Sequence, residues 1–147
     1  MKLKFCPFPY LLWFTDILPE TVGGRAMMFT VRLRPKYKDD TGILKHEETH
    51  VKQYWLITLP LLILVGIGGF FYQIVWVALS LCLIAQPIIY QASKSYRKWA
   101  EVRAYREQLL WPPATGNREY YWFLYVVALA QHYKLGINIE EAKMLLG

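Results

Sequence analysis

Residues 43–55 have the sequence ILKHEETHVKQYW, and the prediction for the whole chain depends on this stretch. Asp39-Asp40-Thr41-Gly42 precedes it and offers a turn and a helix N-cap, so residues 43–55 are predicted to begin an amphipathic helix. His46 and His50 are four residues apart, which places both imidazoles on one face of that helix, one turn apart. Two imidazoles in this arrangement can bind one metal ion, with each nitrogen about 2.0–2.1 Å from zinc.

Glu47 follows the first histidine, and we expect it to act as the general base. Zinc lowers the pKa of a bound water to about 7, and a neighbouring carboxylate can then take its proton. The alternative for this motif is an exposed helical turn that carries two ordinary histidines. The start of a capped amphipathic helix favours the metal site.

A catalytic zinc site has three protein ligands and one open position, so a third ligand is expected from another helix. Glu101 is the preferred candidate because it lies in KWAEVRAYREQL (98–109), which predicts a helix. One face of that helix carries Glu101, Ala104, Tyr105 and Gln108. Ala104 is small enough to let two helices approach closely. The other candidates are the remaining histidine and two carboxylates expected to be solvated, His132, Glu107 and Glu119.

All charged residues lie outside residues 53–93. Nine of the seventeen Lys and Arg precede this block, eight follow it, and none of the eleven acidic residues falls within it. The net charge of +6 therefore brackets an apolar segment, which is typical of contact with an anionic membrane surface. No dense basic stripe is visible, so we expect no nucleic-acid partner. Cys6 and Cys82 lack CxxC spacing, which argues against zinc binding by sulfur.

The apolar block at 53–93 is longer than the ~20 residues that one spanning helix needs. Glycines within residues 66–69 offer a turn, and we interpret the block as a membrane-inserted hairpin of two helices. The arms on either side of these glycines are unequal, so Pro60 or Pro87 is expected to kink or break one of them. A buried helical hairpin in a soluble or oligomeric protein is the alternative.

The membrane topology and the metal site constrain each other. A single crossing between His50 and Glu101 would separate these ligands by about 30 Å of hydrocarbon, whereas zinc binds each ligand at about 2 Å. The block must therefore return to the side that it left. Basic residues on both flanks predict that both ends lie on the cytoplasmic face.

Short β structure is predicted before the motif. Apolar and polar residues alternate over residues 29–34, which is typical of a half-exposed strand with Phe29, Val31 and Leu33 on one face. Residues 1–20 are rich in aromatic residues and proline, and we expect them to be retained and to rest on the membrane interface. Near the C-terminus, two helices are predicted to be separated at Gly136, and Asn138 is predicted to cap the second.

HEETHVKQY (46–54) and EVRAYREQ (101–108) together resemble the gluzincin branch of zinc metallopeptidases. More narrowly, they are similar to its minimal single-domain forms, which have HExxHxxQ and a later ExxAYxxQ. The resemblance covers roughly residues 20–145 and implies a zincin-like metallopeptidase core: an α+β, mostly helical fold with a short β-hairpin or strand. The length of 147 residues separately predicts a single domain over residues 1–147. The hydrophobic helical hairpin between the motifs is a departure, because a soluble minimal gluzincin would not need it.

The resemblance also implies the roles of individual residues. The implied zinc ligands are His46, His50 and Glu101, and Glu47 is implied as the catalytic base. Supporting positions of the family are matched by two further residues, Gln53 and Tyr105. The strand near residues 28–33 is implied to edge the cleft, where it could pair with an extended substrate.

The prediction is therefore a membrane-associated zinc metallopeptidase, a hydrolase that acts on a peptide or protein substrate. Its active site is expected on the cytoplasmic face, with membrane lipid as a further partner. The alternative is a membrane-associated structural or interaction protein whose HExxH holds a non-catalytic metal. A weaker idea is a holin-like membrane-disrupting hairpin, which would not need zinc.

Overall fold

The computed structural model describes residues 1–19, 22–69, 75–111 and 117–147. The fold is α+β and mostly helical, as predicted, and the described residues include one four-stranded sheet. In chain order the main elements are β1 (Lys2–Phe5), β2 (Pro9–Phe14), β3 (Gly24–Met27), β4 (Thr30–Leu33), α1 (Thr41–Gly69), α2 (Val75–Ala92), α3 (Lys94–Leu109), α4 (Arg118–Gln131) and α5 (Ile139–Leu146).

The sheet has the strand order β1-β2-β4-β3, in which β2 and β4 are parallel and the other two pairs are antiparallel. The core between the sheet and α1 contains Tyr10, Leu12, Val31, Leu33 and Val51. The predicted alternation is confirmed at Val31 and Leu33, whereas Phe29 precedes β4 and is exposed. Among the described strands β3 pairs only with β4, so the other edge of β3 is free.

The N-terminal residues form a β-hairpin that we did not anticipate. Pro7 lies in the turn, and Pro9 is the first residue of β2. A proline at the start of a strand is tolerated because its missing N–H need not join the ladder. The Tyr10 hydroxyl donates a hydrogen bond to Glu48 Oε1 at 2.6 Å, which ties the hairpin to α1.

The apolar block forms two helices that pack against each other, the second half of α1 and the whole of α2. We expected the turn within residues 66–69, but α1 continues to Gly69, and the connection at residues 70–74 lies outside the described residues. Neither Pro60 nor Pro87 ends its helix. The chain changes direction at Ser93 instead, where α2 and α3 meet at 96°.

A second core joins the C-terminal helices to α3. It is formed by buried side chains of α3, α4 and α5 and of the loop between α4 and α5. Gly136 in this loop has a φ of 73°, and Asn138 caps α5 by accepting a hydrogen bond from the Glu141 N–H at 2.8 Å, as predicted. The core fixes α3, and with it Glu101, relative to the C-terminal helices, while α3 also packs directly against α1.

The helical hairpin exposes most of its apolar side chains in the isolated chain. Examples along both helices are Leu56, Ile63, Leu64, Ile67, Trp76, Val77, Leu81 and Ile88. By length and composition, the segment Thr41–Ile67 could cross a membrane. A second candidate span exists only if two helical segments joined by a sharp bend are counted together as one broken span. These segments are Trp76–Ala92 and Lys94–Leu109. The hairpin is therefore not buried within its own chain.

Candidate metal centre

His46 and His50 of α1 meet Glu101 of α3 in the interior of the protein. The Nε2 atoms of the two histidines are 3.3 Å apart. One carboxylate oxygen of Glu101 lies 3.5 Å from His50 Nε2, and the other lies 3.7 Å from His46 Nε2. Glu101 is only 1% exposed. The structure thus brings together the three residues expected as ligands.

The spacing of these three groups fits a tetrahedral metal ion. Ligand atoms held about 2.0–2.1 Å from a tetrahedral zinc ion lie roughly 3.3–3.4 Å apart, close to the separations seen here. Glu101 Oε1 accepts a hydrogen bond from the Tyr90 hydroxyl, while Glu101 Oε2 is buried with no hydrogen-bond partner among the described residues. A buried carboxylate oxygen without a partner is costly, and a bound cation would satisfy it.

The charges of the site are coupled. Burial and the neighbouring His50 lower the pKa of His46 to about 3, so this imidazole is neutral. Burial alone would lower the pKa of His50, but the Glu101 carboxylate outweighs it and raises that pKa. Burial would raise the pKa of Glu101, and the paired His50 instead lowers it. The positive charge of His50 and the negative charge of Glu101 therefore face each other. The imidazole of His46 beside them is neutral and has a free lone pair.

Glu47 projects from α1 towards β3. A Cβ added at Gly24 would lie 2.6 Å from Leu33 Cδ2 and 3.0 Å from Glu47 Oε1, so only glycine allows β3 to pass this close. Burial raises the pKa of Glu47 to about 7, against the lowering effect of His50. A carboxyl group with this pKa can accept and return a proton near neutral pH.

Gln53 connects the second histidine to the neighbouring helix. Its Oε1 accepts from His50 Nδ1 at 3.0 Å, and its Nε2 donates to the Ala100 carbonyl at 3.0 Å. This hydrogen bond holds a proton on His50 Nδ1 and leaves His50 Nε2 directed at Glu101. Hydrogen-bond partners like Gln53, which do not bind the metal themselves, orient metal-binding imidazoles in general. Gln53, which we expected in a supporting position, therefore contacts both His50 and the backbone of α3.

Three tyrosines surround the ligands. The Tyr105 ring packs edge-on against His46 with centroids 4.5 Å apart, and its hydroxyl lies 2.9 Å from the Tyr133 hydroxyl. Tyr105 thus contacts the first histidine of the cluster, and its supporting role stays a prediction. Sequence reasoning missed Tyr90 and Tyr133. Tyr90 lies near the end of the apolar block. Its polar hydroxyl on an otherwise apolar helix was the signal that could have indicated it. No motif contains Tyr133.

The remaining candidates do not join the cluster. His132 is exposed at the C-cap of α4, and Glu119 is exposed in the first turn of the same helix. Glu107 lies on α3 outside the buried face that carries Glu101. Glu48, the other carboxylate of HEETH, is held by Tyr10 and by Lys45 Nζ at 2.7 Å, so its role is to join α1 to the sheet.

The cluster lies in a cleft of about 370 Å³. Both histidines, Glu47 and Glu101 line it, with β3 and the following Met28 on one side and the last turns of α2 on the other. A strand is present in the expected range as β4, but the strand that edges the cleft is β3 at Gly24–Met27, so the expectation that residues 28–33 edge the cleft was wrong. β4, which occupies most of that range, is an inner strand between β2 and β3.

No protein-family model, curated protein or solved structure matches this chain. Inference about its activity therefore rests on the residues and the geometry of the site.

Proposed function

We propose that the protein is a membrane-associated zinc metallopeptidase of the gluzincin type, built on a zincin-like core. The observation that carries this proposal is the buried group of His46, His50 and Glu101, spaced as the ligands of a tetrahedral ion. Two imidazoles and a carboxylate suit zinc, and three ligands leave one position open for reaction. Glu47 lines the same cleft.

The mechanism assigns each step to a residue of the chain. Bound zinc would supply a Lewis acid that polarises the scissile carbonyl and acidifies water. Glu47 takes the proton from the attacking water and passes it to the leaving amine. Gln53 holds His50 in its ligating orientation. Tyr90 fixes the Glu101 carboxylate through Oε1, the oxygen nearer His50, and leaves Oε2 facing His46.

The free edge of β3 supports a polypeptide substrate. An extended peptide can add to an exposed strand edge through main-chain hydrogen bonds, and this aligns its bonds with the strand. β3 lines the cleft that contains Glu47. A peptide on this edge would therefore present its carbonyl groups to a metal ion held by the three ligands. The orientation comes from the backbone and does not depend on one substrate sequence.

The exposed apolar hairpin supports membrane association. Lipid is the environment in which a helix with apolar side chains on all sides is stable, because its backbone groups are satisfied internally. Basic residues flank the hairpin on both sides, which favours a cytoplasmic location for the cleft.

A membrane-associated interaction protein with a structural metal is the competing function. Structural zinc sites are closed by four protein ligands. The cluster found among the described residues offers three, and Glu47 lies beside it in an open cleft. These features favour the peptidase.

Glu47→Gln tests the proposed function. The variant should bind one zinc ion as wild type does and should lose peptide hydrolysis by a factor of at least ~100, because the proton acceptor is gone and the ligands remain. Zinc content by elemental analysis and cleavage of an unfolded protein substrate give the two readouts. Glu107→Gln is the matched control and should keep both. Hydrolysis by Glu47→Gln at the wild-type rate would refute the mechanism.

A further inference from the structure

The cleft lies at the base of the apolar hairpin. Leu56, the first strongly exposed apolar residue of α1, is six residues beyond His50, which is about 9 Å along a helix. On α2 the exposed apolar surface comes closer to the cleft than it does on α1. Tyr90, which lines the cleft, directly follows the exposed residues Ile88 and Ile89. The cleft therefore begins at the exposed apolar surface of α2, and His50 lies about 9 Å from the exposed apolar surface of α1.

One wall of the cleft continues into the apolar zone. Gln86 and Pro87 line the cleft one turn beyond Tyr90, about 6 Å further along α2. At this level the outer side of α2 exposes Ile84 and Ile88. The headgroup layer on each side of a bilayer is about 5–8 Å thick, so the ligands would lie within it and the cleft would reach the hydrocarbon boundary.

The opposite wall is apolar as well. It contains Pro19, Val22, Ala26, Met27 and Met28, and Arg25 is its charged member. Methionine side chains are flexible and adapt to different apolar partners. This wall suits substrate residues that are themselves apolar, such as the last residues of a membrane span.

We infer that the substrate is the membrane-proximal segment of a second membrane protein, cleaved just outside its own spanning helix. This inference rests on the proposed function and names the substrate class of the same site. An extended chain advances about 3.3 Å per residue, so a bond up to 9 Å from the hydrocarbon lies within about three residues of the end of the span. This distance already includes the headgroup layer, so cleavage should fall within about three residues of the span.

The test uses two synthetic substrates and the full-length, zinc-loaded protein in sealed vesicles. The first substrate is a single spanning helix followed by a long linker of one repeated residue pair, and the second is the same linker without the helix. Because the linker sequence repeats, only distance from the membrane distinguishes its bonds. Mass spectrometry maps the cleaved bonds, and Glu47→Gln protein provides the background.

The expected result is cleavage confined to about the first three linker residues, at least ~10-fold faster than cleavage of the free linker, since enzyme and substrate are held at one surface. Uniform cleavage along the tethered linker, or equally fast cleavage of the free linker, would overturn the inference and leave the peptidase intact. Absence of cleavage of both substrates by zinc-loaded protein would refute the proposed function, and the inference with it.

Discussion

Gln53→Ala is the substitution that best tests whether the site is built for a metal. Gln53 is 2% exposed and makes two hydrogen bonds of 3.0 Å, one with His50 and one with the Ala100 carbonyl. The substitution removes neither a ligand nor the base. It leaves His50 free to rotate away from the position in which its Nε2 faces Glu101.

The magnitude follows from the contacts that are lost. Loss of an outer partner of a metal-bound histidine typically lowers metal affinity by about 10–100-fold, or roughly 1.4–2.7 kcal/mol. The Ala100 carbonyl and the His50 N–H also lose a buried partner, which costs about 1–3 kcal/mol of folding stability for each group. Both zinc affinity and stability should therefore decrease.

Gln53→Glu separates these two effects. It keeps an acceptor for His50 but loses the donor to Ala100, so stability should decrease while zinc affinity stays near the wild-type value. Affinity is measured by competition with a fluorescent zinc chelator, and stability by thermal unfolding of the metal-free proteins. Equal loss of zinc affinity in both variants, or wild-type affinity in Gln53→Ala, would refute the orienting role.

Three further predictions concern the hairpin and the metal. Leu64→Arg should reduce membrane insertion by about 2.5–3.5 kcal/mol if the hairpin lies in lipid. Leu110→Arg is its control, since Leu64 and Leu110 are 69% and 67% exposed, and equal behaviour of the two in membrane flotation would contradict insertion. Chelation of zinc should lower Tm by roughly 5–10 °C, because zinc at a hundred times its Kd stabilises the native state by about 2.7 kcal/mol. His46→Ala should show no such shift, and a shift that persists would place the ion elsewhere. Finally, in a chain without its native cysteines, exposed Asp39→Cys and Ser95→Cys should react with an impermeant reagent from the same side of sealed vesicles. Labelling from opposite sides would rule out the hairpin.

Local features of the sequence were sufficient to predict local structure. The i,i+4 spacing of His46 and His50 places them on one helix face whatever the rest of the chain does. Asp40, in the turn predicted to cap that helix, accepts a hydrogen bond from the Ile43 N–H at 3.0 Å. The alternation around Val31 and the cap at Asn138 were equally readable, because these signals depend on neighbours within a few residues.

The partners across the fold could be predicted only where a motif marked them. Glu101 was chosen over Glu107 and Glu119 because it shares a helix face with small and aromatic residues, and the buried face of α3 agrees. Tyr90 could not be chosen in this way. Its contact with Glu101 exists because the chain bends by 96° at Ser93, and sequence reasoning had assigned the irregularity to a proline.

The chain by itself therefore determined which residues could hold a metal and where helices begin, since these follow from spacing, caps and charge. The tertiary structure decided how three candidate ligands from two helices converge, that β3 and not β4 edges the cleft, and how the N-terminal hairpin docks on Glu48. The physical reason is that these contacts join residues tens of positions apart. Their geometry depends on the direction of each helix and strand, which no local periodicity encodes.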